Sequence, residues 1–229
     1  MSKAVVPISG GLDSSVILSI ATKQHDEVFA ITYNYGQKHD KEILCAGTQV
    51  DDFSSNIEEH KIIDIQFFKD IASTSSLTND NIKVAHTRDV LGDAQTVNYV
   101  PFRNMMMLSI ACSYAEAVGA ETVYHGSALV DSQAGYWDGS KEFLKEINNL
   151  TALNRKNRIE IKAPLINLSK QEIIKIGLDN GVRFDETWTC YEGGEKACGH
   201  CTACSSRIQG FLDNKLKDPI EYVRTDIPW

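Results

Sequence analysis

The chain has 229 residues, 42% apolar and 24% charged, a composition that suits one substantial folded core and excludes disorder. Acids outnumber bases by 31 to 23, for a formal net charge of −8. That balance weighs against a protein that coats nucleic acid, which needs Lys and Arg clustered against phosphate. No run approaches the roughly 18 apolar residues of a membrane span. The N-terminus is not read as a signal peptide, because Ser9-Gly10-Gly11-Leu12-Asp13 interrupts its short apolar stretch. A cytoplasmic location is expected.

Residues 3–8 read as a buried strand, although Pro7 removes a ladder donor near its end. Helical spacing over 12–23 follows, then an apolar strand over 27–33, a helix over 39–53 and a strand over 60–65. This alternation implies right-handed crossovers and a parallel sheet with helices on both faces. Residues 66–98 are polar and weakly periodic, and are read as a long loop or lid carrying short pieces of structure. A Met- and Ala-rich helix over 103–119, a strand over 121–125, a helix over 143–153 and a short strand over 159–161 come next. Ser169 with Glu172 is a capping-box pattern, opening a helix that stops near Gly181. Beyond it the chain turns to Gly, Cys and Trp, the composition of a site rather than a sheet. The expected division is an α/β domain over residues 1–185 and a metal-binding segment with its tail over 186–229.

Ser9-Gly10-Gly11-Leu12-Asp13-Ser14-Ser15, preceded by Ile8, joins the first strand to the first helix. Glycines there let backbone N–H groups approach an anion, the helix N-terminus adds its dipole, and serine hydroxyls supply further donors. A Walker A loop would need G-x-x-x-x-G-K-[ST], and the chain has no such run. A cradle for departing pyrophosphate fits better than a γ-phosphoryl site, with Asp13 orienting the loop or helping to hold Mg²⁺. The competing structural explanation is a plain Gly-Gly turn.

Cys190, Cys198, Cys201 and Cys204 have the spacing C-x₇-C-x₂-C-x₂-C, with Gly193, Gly194 and Gly199 beside them. Four thiolates so spaced suit tetrahedral Zn²⁺ in a closed, structural site. An iron–sulfur cluster is the rival and two disulfides the bland alternative, the latter disfavoured in a reducing compartment. His200 is poorly spaced to replace a ligand. Cys45 and Cys112 read as small core residues.

The loop Ser9-Gly10-Gly11-x-Asp13-Ser14 resembles the PP-loop motif of the ATP pyrophosphatase superfamily, which cleaves ATP between the α- and β-phosphates. Within it the chain is similar to the 7-cyano-7-deazaguanine synthases of the QueC family. Tyr35-Gly36-Gln37-Lys38-His39, Pro164-Leu165-Ile166-Asn167-Leu168-Ser169-Lys170 and Thr187-Trp188-Thr189-Cys190 with its cysteines match that family's segments in order. The resemblance implies a Rossmann-like fold of the adenine nucleotide alpha hydrolase-like type, a homodimer, and conversion of 7-carboxy-7-deazaguanine and ammonia to the nitrile. ATP and Mg²⁺ would adenylate the acid, ammonia would give the amide, and activation of the amide would allow loss of water. It also implies residue roles. ATP would meet residues 8–15 with Tyr33, Gln37, Lys38 and His39, and Asp13, Ser14, Arg103 and Lys170 would serve catalysis. The base would meet Tyr35, Arg103, Asn104, Asp131, Tyr136 and Asp138.

Two departures stand out. Phe102 replaces the Gly of the family's V-P-G-R-N, and the stretch from Asp131 to Ser140 lacks the Cys and Arg carried there by the family. A divergent enzyme is therefore a second reading, one that stops at the amide or hands the activated acid to a protein or other macromolecular partner. A tRNA thiolase and a non-catalytic nucleotide-binding module are further alternatives. The acidic chain opposes the first, and the intact loop opposes the second.

Overall fold

The computed structural model describes residues 1–37, 41–86 and 96–229. In chain order the elements are β1 (Lys3–Pro7), α1 (Leu12–Gln24), β2 (Glu27–Asn34), α2 (Lys41–Asp52), β3 (Ile57–Asp64) and α3 (Phe68–Ile71). There follow α4 (Arg103–Val118), β4 (Thr122–Tyr124), α5 (Leu129–Gln133), α6 (Lys141–Thr151), β5 (Glu160–Lys162), α7 (Lys170–Asn180) and α8 (Thr202–Asp213). The strands form one sheet in the order β3-β2-β1-β4-β5, every adjacent pair parallel.

Central β1 explains its own composition. Val5 pairs with Phe29 on one side and Val123 on the other, and Ala4, Val5 and Val6 are all fully buried. A parallel strand covered on both faces needs an apolar run rather than alternation. Ala4 and Val6 pack with α1, α2, α7 and α8 through Val16, Ala46, Ile173 and Phe211. Val5 points the other way, into a second layer with Leu108 and Ala111 of α4 and Phe143 and Ile147 of α6. Pro7 sits at the last position of β1, where the missing N–H costs little of the ladder.

The expected α/β architecture is present, with local differences. Strand β3 begins at Ile57, three residues before the predicted start, because it is the sheet edge and its exposed Glu58 and Glu59 dilute the apolar signal. Helix α6 starts at Lys141, where the Ser140 hydroxyl accepts the Phe143 amide at 3.0 Å. Helices α5 and α8 were not expected. The cap of α8 is the Cys201 sulfur, accepting the Cys204 amide at 3.4 Å, rather than a hydroxyl or carboxylate that would mark a helix start. Phe211 brings α8 into the same core as α1 and α7. Of the long 66–98 segment, the described residues 66–86 and 96–98 contain α3 and turns, with Phe68 and Leu77 buried against Val100. Lys38 and His39, predicted for the nucleotide pocket, lie outside the described residues.

Candidate active site

The chain runs from β1 to β2 and β3 on one side, then crosses to β4 and β5 on the other. The carboxyl ends of β1 and β4 therefore flank a topological switch point, where open α/β sheets place their ligands. A cavity of about 1020 Å³ opens there.

Its floor is the β1–α1 loop. Gly10 has φ +75°, and a Cβ there would lie 2.2 Å from the Glu42 carbonyl oxygen and 2.5 Å from the Ala46 amide. Only glycine lets this loop rest on the backbone of α2. The Ser9 and Ser14 hydroxyls lie 3.0 Å apart, Ser14 donates to the Gly11 carbonyl at 3.1 Å, and Ser15 donates to it at 2.9 Å. Gly11 is the N-cap of α1 and supplies no side-chain cap, so the first helical amides keep their capacity for an anion. Asp13 in that first turn takes both of its oxygens to the Lys170 ammonium, at 2.6 and 2.7 Å. Lys170 is the first residue of α7, whose capping box joins Ser169 and Glu172.

Ile8, Ser9, Gly11, Leu12, Asp13, Ser14, Tyr33, Gln37, Tyr35, Arg103, Asn104, Asp131, Tyr136 and Lys170 all line the cavity. Gly10 and Ser15 stand behind it as loop supports, and Asp138 is buried beneath it, its carbonyl near the Asn104 amide at 3.5 Å. Tyr33 is anchored by donating to the Met107 carbonyl at 2.6 Å. The Tyr136 hydroxyl lies 3.2 Å from that of Thr96, and its ring stacks on Tyr99 at 6.2 Å.

Arg103, the first residue of α4, dominates the electrostatics of the far wall. Burial disfavours its cation, yet the hydrogen bond with Tyr35 and the nearby Asp138 carboxylate outweigh that and hold it charged. Its guanidinium carbon sits 5.9 Å from the Tyr35 ring centre. Burial likewise keeps the Tyr35 and Tyr191 hydroxyls protonated. Burial also pushes the Asp131 carboxyl up to about 6, against the Ala128 amide that it accepts at 2.8 Å.

Sequence reasoning missed three groups on this wall: Glu42, His125 and Tyr191. Burial lifts Glu42 to about 7 even though Arg103 favours its charged form. Burial lowers His125 to about 4, so its imidazole is neutral at physiological pH. The switch-point rule could have found His125, which directly follows β4. Nothing local marks the other two.

Glu42 makes the fold pH-sensitive. Between its ordinary value of 4.5 and about 7 the folded carboxyl holds a proton that the unfolded one has lost. The stability this contributes is present below 4.5 and is lost as pH rises through 7. Glu42→Gln should therefore gain on the wild type as pH climbs across that window. Parallel denaturation curves at several pH values check it, and a pH-independent difference would contradict the Glu42 assignment.

Phe102 adopts φ 54°, the left-handed conformation that Gly would take at no cost. Its ring is 59% exposed and meets Trp137 edge-on at 5.3 Å. It does not line the cavity. The departure from glycine thus stores about 1–2 kcal/mol of backbone strain without narrowing the site.

The cysteine segment adjoins the loop. Cys190, Cys198, Cys201 and Cys204 are buried, unbridged and mutually within ligand reach. Cys198 and Cys204 sulfurs are 3.9 Å apart, matching the tetrahedral edge of about 3.8 Å that Zn–S bonds near 2.3 Å generate. Hydrogen bonds from the other sulfurs, Cys198 foremost, hold the Cys190 thiol far below its ordinary value. The donor set and its geometry fit a closed tetrahedral metal site. The Trp188 amide donates to the Gly10 carbonyl at 2.9 Å, coupling this segment to the β1–α1 loop. Lys41 caps the Trp188 ring at 3.7 Å.

The family described as Queuosine biosynthesis protein QueC matches residues 3–215. The 7-cyano-7-deazaguanine synthase of Oceanobacillus iheyensis is 41% identical over 223 residues, covering 96% of this chain and 98% of that one. The synthase of Clostridium kluyveri is 42% identical over 228 residues, covering 97% and 98%. Among solved structures, NMN synthetase from Francisella tularensis shares the fold with TM-score 0.53 and 16% identity, over 94% of this chain and 78% of that one. A 4-thiouridine synthetase solved with RNA and ATP gives TM-score 0.54 at 16% identity, over 96% of this chain and 47% of that one. On the strength of its family match and its full-length relatives, the chain belongs to the QueC family of queuosine-biosynthesis enzymes.

Proposed function

We propose that this chain is an ATP-dependent 7-cyano-7-deazaguanine synthase, acting on 7-carboxy-7-deazaguanine and ammonia. The observation that carries the reading is a single cavity lined by the anion loop, Lys170 and Arg103 in a chain of this family. A carboxylate is a poor electrophile, and transfer of AMP to it from ATP supplies a leaving group. Backbone amides of Gly11 and α1, with the Ser9 and Ser14 hydroxyls, receive the α- and β-phosphates. Asp13 would hold Mg²⁺, which would supply charge neutralisation for the phosphates. Lys170, seated against Asp13, adds a second positive charge to the departing pyrophosphate.

The far wall takes the base. Tyr35 and Tyr136 offer aromatic faces, and Arg103 pairs with the substrate carboxylate as a charge-assisted donor. Asn104 and Asp131 line the same wall, and Asp138 supports it through Arg103. The Glu42 carboxyl can accept from the N–H groups on the pyrimidine edge of the base. No side chain needs to act as a covalent nucleophile, so catalysis rests on positioning and fixed charge. Residues 186–229 form the metal-binding segment with its tail; the four cysteines would hold Zn²⁺, which would brace the loop through Trp188. The acting species is a homodimer in the cytoplasm.

The test is one incubation with 7-carboxy-7-deazaguanine, ATP, Mg²⁺ and ammonium, followed by mass spectrometry of base and protein. Nitrile together with AMP is the expected result. Amide as the end product, or AMP released only when a second macromolecule is added, would overturn the nitrile as product. Cys201→Ser should lose metal and stability together, since structural zinc binding is linked to folding. A loss of about 2 kcal/mol or more would lower the melting temperature by roughly 4–8 °C. Full metal content at an unchanged melting temperature would contradict the assignment.

A further inference from the structure

A second cluster of metal-ligating side chains lies on the surface beside the four cysteines and shares no atom with them. His86 Nε2 is 3.1 Å from Glu192 Oε1, and His200 Nε2 is 3.4 Å from the same oxygen. The three donor atoms all lie within 4.8 Å of one another. The imidazole rings are 4.2 Å apart, centre to centre, and inclined at 66°. We infer that His86, Glu192 and His200 form a divalent transition-metal site, separate from the cysteine centre, with solvent completing the coordination.

The distances carry this. Metal–nitrogen and metal–oxygen bonds near 2.0–2.1 Å in a tetrahedron set ligand–ligand edges of about 3.3–3.4 Å. The two observed edges, 3.1 and 3.4 Å, bracket that value. Two imidazoles and one carboxylate suit zinc, nickel or cobalt(II), and make calcium or magnesium poor candidates.

The backbone prearranges the three residues. His86 forms an isolated antiparallel bridge with Cys201, and the His200 amide donates to the Cys198 sulfur at 3.5 Å. Glu192 follows Tyr191, which lines the cavity, and precedes Gly193, whose φ of +73° turns the chain sharply. Each side chain is about one-third exposed or more, at 31%, 35% and 43%, so an ion has an open path. The site is thus exchangeable, unlike the buried cysteine centre. An ion here would clamp His86 onto the cysteine segment beside the cavity.

The experiment uses the full chain carrying one equivalent of zinc on its cysteines, titrated with cobalt(II) at neutral pH. Zinc binds thiolates more tightly than cobalt, so the added ion reports the other site. One further equivalent should bind, giving d–d absorption without the intense sulfur-to-cobalt charge transfer of a thiolate site, and native mass spectrometry should count two metals. His86→Ala and Glu192→Gln should each weaken that second equivalent at least tenfold while retaining the zinc, which verifies their fold. A wild type that takes up no second equivalent would overturn the site, leaving His86, Glu192 and His200 a hydrogen-bonded cluster. So would a second equivalent that both variants bind as tightly as the wild type.

Discussion

Asp13→Ala will lower AMP formation by a factor of about 10²–10³ while leaving the melting temperature close to that of the wild type, and Ser14→Ala will follow it in direction. The magnitude is that of removing one preorganised charged or hydrogen-bonding element from a site where charge develops. Asp13 sits in the first turn of α1, facing the cavity, with both oxygens on Lys170. Removing it takes away the carboxylate proposed to hold magnesium and frees the Lys170 ammonium from its fixed position. The two residues act as one unit, so Asp13→Ala combined with Lys170→Met should be little worse than the poorer single variant. Steady-state AMP release with the adenylation substrates present measures all three. Normal turnover by Asp13→Ala would remove the loop from catalysis. Fully additive losses would show that the two residues act independently. The structural cost is small because the side chain of Asp13 is 32% exposed and the ion pair lies at the cavity surface.

Arg207→Met should have the largest effect on stability. Arg207 and Asp218 are buried at 1% and 0% side-chain exposure and form a two-point ion pair, at 2.6 and 2.9 Å. The guanidinium also donates to the Phe184 carbonyl at 2.8 Å and the Thr187 hydroxyl at 2.7 Å, while Tyr222 donates to Asp218 at 2.7 Å. The pair thus ties α8 to the stretch before Trp188 and to the C-terminal tail. Taking away one partner strands a buried charge, at a cost of about 3–5 kcal/mol. In a chain of this size that lowers the melting temperature by roughly 6–20 °C. The double variant Arg207→Met with Asp218→Leu removes both charges and should recover much of the loss. Calorimetry on the three proteins decides it. A single variant that melts with the wild type, or a double variant worse than the sum of the singles, would refute this account of the pair.

The loop between β1 and α1 was legible because its residues are contiguous. Gly10, Gly11, Asp13 and Ser14 stand in one run between an apolar strand and a helix, and each residue type states its own reason for being there. The cysteines were legible for a related reason, since thiol spacing is a local property of the chain. Helix α8 was not, because its cap is a metal-type cysteine sulfur and its sequence mixes Gly, Ser and Cys. Glu42 was hidden differently. In sequence it is one acid at the start of a polar helix, and only packing shows it lifted to about 7 beside Arg103.

By itself, then, the order of residues determined the alternation of strands and helices, the parallel sheet, the glycine loop between β1 and α1 and the four-thiol cluster. Each depends on interactions between neighbours in the chain or on a periodicity that neighbours reveal. The tertiary structure alone decided which residues share the cavity. It brought Lys170 onto Asp13 across 157 positions, set Glu42 and Tyr191 around Arg103, and buried Arg207 on Asp218. It also moved Phe102 out of the cavity and gathered His86, Glu192 and His200 at one point. Those meetings depend on crossover handedness and side-chain packing, which sum weak contacts over the whole chain and leave no mark in any short stretch of it.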